Sequence, residues 1–238
     1  MRRFLYIALN IILVAFSFYI YSCASSGGGV DIKNDPIKPL PEIKEGTINP
    51  ENNAITISRE GITVTVEHWS RARLDRRFTT ASTRSPFFYL ETWPQSLQSE
   101  VFHVKIKNET PRGLTLIVKE TTFNDDRKYI YTPVSLEDIR YKFVQKSYMD
   151  LKTKNGLDLA TQILLLEKLG PSATIPAGAE IDGFLPFFTP SSQAEKVWLI
   201  ITLEREPETP TAIPKKEVFR FDFTQDPILR KIQPPTKR

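Results

Sequence analysis

A chain of 238 residues with 40% hydrophobic and 11% aromatic side chains can bury one real core and is not globally disordered. The formal charge of +4 includes Arg2 and Arg3; without them 30 basic residues face 28 acidic ones, too small a surplus to point to nucleic acid. A single cysteine, Cys23, excludes an intramolecular disulfide framework and any multi-cysteine metal site.

The chain starts with a targeting pattern. Arg2 and Arg3 form a basic segment, and Phe4 to Tyr21 is apolar apart from Asn10 and Ser17. A run of this length could also span a bilayer as an uncleaved signal anchor. Ile20-Tyr21-Ser22-Cys23 resembles the bacterial lipobox, with a branched apolar residue, a small residue and then cysteine. That resemblance implies a signal peptide over 1–22, cleavage before Cys23, a diacylglyceryl group on its thiol and acylation of the new amine. Two or three acyl chains anchor stably where one does not. Ala24, standing where an Asp would imply inner-membrane retention, implies the outer membrane of a Gram-negative-type envelope.

Residues 23–53 are expected to form a lipidated, flexible tether. SSGGG opens it, and Pro36, Pro39, Pro41 and Pro50 stiffen it towards polyproline II. About thirty such residues reach on the order of 90 Å when extended. Pro36-Ile37-Lys38-Pro39 is a PxxP match whose plainer reading is spacer.

A folded domain is expected over 54–224. Ile55 to Val66 reads as a hairpin turning at Arg59-Glu60-Gly61, with Ile62, Val64 and Val66 on one face and Thr63, Thr65 and Glu67 on the other. Phe87 to Thr92 reads as a second strand region. Val101 to Lys107 alternates, with Phe102, Val104 and Ile106 opposed to His103, Lys105 and Lys107. Leu114 to Phe123 reads as the next strand. Ser135, with Asp138 three residues on, predicts a helix cap, and a helical hairpin is expected over about 135–169. Glu180 to Phe188 and Val197 to Leu203 are apolar on both parities and predict central, doubly covered strands. Glu217 to Thr224 alternates again, and 225–238 is expected to be a loose tail. Seven or eight short strands with turns between them argue for a mainly β fold, an antiparallel β-sandwich with the helical pair inserted. The phrase IPAGAEIDGFLPFF, residues 175–188, resembles the turn-and-strand signature of telokin-like, immunoglobulin-fold bacterial lipoproteins. The resemblance implies an immunoglobulin-like sandwich and assigns no functional residue.

Chemistry-bearing residues are sparse. His68 lies on the Val64–Val66 face and reads as a satisfied, semi-buried residue; His103 shares the lysine face and reads as exposed. A metal site from both would need a third convergent ligand that the sequence does not indicate, so neither metal nor cofactor is expected. No G-x-S-x-G, H-E-x-x-H or phosphate-binding glycine loop occurs, and no catalytic residue is expected. Asp125-Asp126 reads as a solvated turn, and Asn108-Glu109-Thr110 as a sequon without meaning in most bacterial envelopes.

One constellation remains, HWSRARLDRRFTTASTR over residues 68–84. Arg71, Arg73, Arg76 and Arg77 are candidates for an anion-binding loop that takes an anionic lipid or glycan, or an acidic partner. The plainer reading is a solvated connection whose arginines pair with Asp75, Glu91 and other carboxylates. The functional expectation is therefore a non-enzymatic, lipid-anchored binding or scaffolding module with an envelope protein partner. A pilotin-like accessory role in a secretion or assembly machine is the alternative, and an envelope hydrolase has no motif behind it.

Overall fold

Period-two alternation carries most of the architecture. The computed structural model describes residues 36–79, 85–88, 91–92, 95–96, 99–135, 137–138, 162–209 and 211–226. Its strands are β1 (Ile37–Pro39), β2 (Thr47–Asn49), β3 (Ala54–Arg59), β4 (Ile62–Trp69), β5 (Glu91–Thr92), β6 (Gln95–Ser96) and β7 (Ser99–Asn108). They continue as β8 (Leu114–Ile117), β9 (Thr122–Asp125), β10 (Ile130–Tyr131), β11 (Ser172–Ile175), β12 (Glu180–Phe188), β13 (Lys196–Arg205) and β14 (Lys215–Gln225). Helix α1 (Arg71–Phe78) follows β4 directly.

Two antiparallel sheets pack face to face, as the sandwich expectation requires. The first runs β1-β14-β13-β8-β11, with β9 and β10 continuing beside β13; the second runs β12-β7-β4-β3-β2. A two-residue turn at Glu60-Gly61, with φ of 46° and 78°, closes the β3–β4 hairpin in the twist that tight hairpins favour. Inward-facing Val64, Val66, Phe102, Val104, Leu185 and Phe187 from the second sheet meet Phe123, Leu199, Ile201, Phe219, Phe221 and Phe223 from the first. Each such side chain contributes about 1.5–3 kcal/mol of burial.

A second apolar cluster lies on the outer face of the second sheet. Trp69, Val101 and Phe184 face outward there, and Leu74 and Phe78 of α1, with Phe87, Val134 and Leu164, cover them. Residues 162–167 are helical, so the described part of the expected helical insertion packs on this face. The Ser135 hydroxyl accepts the Asp138 N–H at 3.0 Å, the expected cap; residues 139–161 of the insertion lie outside the described residues.

Several expectations are corrected. The tether does not reach Asn53: β1 pairs with β14 and β2 with β3, and Ile37 is 1% exposed. Three-residue strands are too short to show alternation, and β1 finds its partner at the far end of the chain. Its Pro36-Ile37-Lys38-Pro39 is an edge strand, where proline is tolerated. The 68–84 segment is not a loop throughout, because Leu74 and Phe78, one turn apart, pull 71–78 into a helix on the sheet. Of the strand region expected over Phe87 to Thr92, the described residues form a 3-10 turn at Pro86–Phe88 and the short β5, and residues 89–90 lie outside the described residues. Leu114 to Phe123 is one strand path broken by a 3-10 turn at Val118–Glu120, so β8 and β9 flank opposite ends of β13.

β13 is central, as expected, but not doubly covered, since Trp198 and Ile200 on its outer face are only half-buried. β12 lies at the margin of the second sheet, doubly apolar because α1 and residues 162–167 cover its outer face. Its free edge is closed by short contacts: the Val134 N–H donates to the Pro186 carbonyl at 2.8 Å, and the Leu169 N–H to the Phe184 carbonyl at 3.1 Å. β14 extends one residue into the expected tail, with Gln225 buried; residues 227–238 lie outside the described residues.

Candidate functional site

The arginine-rich helix is the natural place to look for a site. α1 has eight residues and no side-chain cap at Ser70, so packing rather than local propensity holds it. Phe78 meets Phe184 with ring centroids 5.5 Å apart and Phe87 at 5.3 Å, while Trp69 meets Phe184 edge-on at 4.9 Å. Arg76 and Arg77 occupy its last turn, where cations oppose the helix dipole favourably.

Three of the four candidate arginines are engaged within the protein. Arg73 Nη1 donates to Glu67 Oε1 at 2.5 Å, and its guanidinium lies 3.8 Å over the Trp69 ring. The Trp69 indole N–H donates to the other oxygen of Glu67 at 2.8 Å. Arg77 pairs with Glu167 at 3.0 Å, tying α1 to residues 162–167. Arg71 lies 3.7 Å from Asp75 one turn on. Arg76 is exposed and has no ion pair among the described residues. The cluster is thus a clamp more than an open anion cradle. Glu67, its buried acceptor, lies on the face opposite Ile62, Val64 and Val66, as alternation places it, and no covering element is expected over that face. The signal that finds it is Leu74 and Phe78 four apart within the arginine run, which predicts a helix laid over that face.

The two histidines sit on opposite faces of the second sheet. His68 points inward as expected but is buried rather than semi-buried and only partly satisfied: Nε2 lies 2.8 Å from Glu100 Oε2, while Nδ1 has no hydrogen-bond partner among the described residues. His103 points outward but is only half-buried, packed 4.8 Å from the Phe184 ring and bonded through Nε2 to Asp182 at 2.9 Å. Facing apart, they cannot share a ligand. No group of three or more His, Cys, Asp or Glu side chains is placed to hold a metal ion among the described residues.

Asp125 overturns the solvated-turn reading. It is 0% exposed, and its carboxylate accepts the N–H groups of Arg127 and Tyr129, each at 3.0 Å, and the Tyr131 hydroxyl at 3.0 Å. The Ser191 N–H adds a bond from the β12–β13 connection at 3.3 Å. Burial, and then the Asp125 carboxylate, push the Tyr131 phenol up to about 12. The arrangement serves the turn, since every acceptor is filled by a structural donor.

Cys23 lies outside the described residues. Among the described residues no helix is long and apolar enough to cross a membrane. No family model and no curated protein matches the chain. Among solved structures it is similar to the yjhA protein from Bacillus subtilis, with 12% identity over 68% of this chain and 93% of that one, at a TM-score of 0.31. That score is too low to bear on activity.

Proposed function

We propose that this chain is a lipid-anchored, non-enzymatic protein of the bacterial cell envelope whose β-sandwich binds another envelope protein. The observation that carries the reading is Ile20-Tyr21-Ser22-Cys23 at the end of an apolar run, behind Arg2 and Arg3. Ala24 favours the outer membrane. The early start of the sandwich at β1 sharpens the geometry: at a polyproline rise of ~3.1 Å each, residues 24–36 would reach about 40 Å, less than half the reach expected on the same basis of a tether to Asn53. An anchored Cys23 therefore keeps the domain close to the bilayer, and its partner with it. A protein partner is favoured over an anionic lipid or glycan because Arg71, Arg73 and Arg77 already have carboxylates within reach.

The test is processing. Inhibition of the lipoprotein signal peptidase in the producing cell is expected to accumulate a heavier precursor, and Cys23→Ala to abolish incorporation of labelled fatty acid. Normal maturation of the Cys23→Ala chain would refute the anchor. Crosslinking in intact cells, followed by capture of the full chain, then asks whether a stoichiometric protein partner is present.

A further inference from the structure

We propose that the open edge of β14 receives an extended segment of a partner protein as an added antiparallel strand. The inference deepens the binding-module reading and rests on it only for where the partner resides.

β14 is paired unequally on its two sides. Towards β13 it is matched from Lys215 to Thr224. On the other side β1 covers only Phe223 to Gln225, and the Leu40 N–H reaches the Asp222 carbonyl at 3.2 Å. No strand among the described residues pairs with residues 215–221 on that side.

The hydrogen-bonding parity of this edge follows from its far end. The Gln225 N–H donates to Glu195 on the β13 side, whereas the Asp226 N–H donates to Pro36 on the β1 side. Backbone groups alternate along a strand, so Lys216, Val218 and Arg220 direct theirs to the open side. One of these groups is occupied by a side chain. Arg59 Nη2, reaching from the second sheet, donates to the Val218 carbonyl at 2.7 Å. Its guanidinium lies 4.4 Å over the Phe219 ring and pairs with Glu45 at 2.9 Å. Arg59 thus guards an edge that would otherwise invite pairing.

A cleft of about 220 Å³ opens beside this edge, where the chain leaves β1 and crosses to β2. Ile43, Ile55 and Phe221 line it, with Lys44 and Glu45 at the rim. It is below the ~300–1,000 Å³ of most small-molecule sites but large enough for an apolar side chain. A strand added to β14 continues the lane of β1. Its residue opposite Phe221 shares the inward face and enters the cleft.

A second copy of this chain is the poorer occupant. Full overlap of two free 215–221 stretches centres on Val218, so Lys216 of one copy stands opposite Arg220 of the other. The same register sets Glu217 opposite Phe219 on the inner face. Like charges directly opposed destabilise a strand pair, and a carboxylate facing the core adds a desolvation cost. A partner strand with acidic residues on the outer face and β-branched ones inside meets Lys216 and Arg220 with the opposite sign. Those cations already contact Glu120 and Asp222, so charge sets the choice of partner while main-chain bonds set the affinity.

The probe is the amidated heptapeptide Val-Glu-Ile-Thr-Val-Glu-Thr carrying fluorescein on its N-terminus through a flexible spacer, into which the full-length chain in detergent is titrated by fluorescence anisotropy. Its register runs antiparallel from Phe221 to Lys215. Saturable binding is expected, weakened at least about tenfold when both glutamates and the central threonine are N-methylated, because those amides face β14. Val218→Pro, which removes an edge N–H at a position where proline is tolerated, is expected to weaken binding by a similar factor. Arg59→Ala, which frees the Val218 carbonyl, is expected to tighten it severalfold. Should Val218→Pro fail to fold, the N-methylated peptide decides alone. Absence of saturation at millimolar peptide, or equal binding of the methylated and parent peptides, overturns the proposal. So does dimerisation of the free chain that Val218→Pro abolishes. Cys23 processing is read separately, so the edge can fail while the anchor stands.

Discussion

The side-chain amide of Asn108 donates to the Ile175 carbonyl at 3.0 Å, across 67 residues of sequence. The same amide reaches the carbonyls of Arg112 at 2.7 Å and Pro176 at 3.1 Å, while its oxygen accepts the N–H and hydroxyl of Thr110. The backbone joins in: the Asn108 N–H donates to Ala179 and the Gly178 N–H to Asn108, at 2.9 and 2.8 Å. One wholly buried residue locks the turn after β7 to the Pro176-Ala177-Gly178 turn. The sequon and the signature turn are therefore two halves of one joint.

Asn108→Ala is expected to cost about 3 kcal/mol, because several carbonyls and the Thr110 donors lose their partner in a site water does not reach. Asn108→Asp is expected to be at least as damaging, since it turns a carboxylate towards three carbonyl oxygens. Urea unfolding of the full chain reads both, and an unchanged midpoint for Asn108→Ala would refute the joint.

The arginines of α1 are expected to separate sharply. Arg73→Ala strands the Glu67 carboxylate, 7% exposed, with the Trp69 indole as its remaining side-chain donor among the described residues, at a cost of about 3 kcal/mol. Arg76→Ala, at an exposed position, is expected to fall within about 0.5 kcal/mol of wild type. Equal losses in thermal melts of the two variants would contradict the clamp.

Gly183 stands where residues 167–169 cross the margin of β12. A Cβ added there would sit 2.9 Å from the Glu167 carbonyl oxygen and 3.0 Å from Leu169 Cγ, so backbone has to move. Gly183→Ala is expected to destabilise by about 1–3 kcal/mol and to raise hydrogen exchange at residues 162–169 before the sandwich strands. Exchange that rises uniformly, or not at all, would dissociate this glycine from the docking of the helical segment.

Glu217 gives the fold a pH dependence. Burial by itself would raise its carboxyl, but the hydrogen bond from Lys215 and the charge of Arg205 outweigh that and hold it below the ordinary carboxylate value. Both cations contact it at 2.9 Å. A carboxyl depressed on folding stabilises above its unfolded value, about 4.3, and loses that contribution as pH falls through the folded one. Denaturation of wild type and Glu217→Gln across this range is expected to show a gap that is full near neutrality and closes in acid. A gap independent of pH would rule the carboxylate out as its source.

Alternation made the inward faces of β4, β7 and β14 legible, because a strand buried on one side must repeat every second residue. It placed His68 inward and Glu67 outward correctly, but it did not show that α1 buries Glu67. Parity says which face a residue takes and is silent on what covers that face. Helix α1 was hidden because its apolar positions are only Leu74 and Phe78, set among four arginines. The burial of Asp125 was hidden because its donors are backbone N–H groups, which every sequence has.

By itself the sequence determined the mainly β class, the faces of the long strands, the cap at Ser135 and the lipobox-like segment around Cys23. These are local features, set by residue type and spacing within a few positions. Tertiary structure alone decided that β1 completes the first sheet, that α1 seals an outer face through Arg73 and Glu67, that Asn108 joins two distant turns and that, among the described residues, 215–221 of β14 have a strand partner on one side only. Each depends on contacts between segments far apart in the chain, where burial and backbone pairing are settled by which partner arrives.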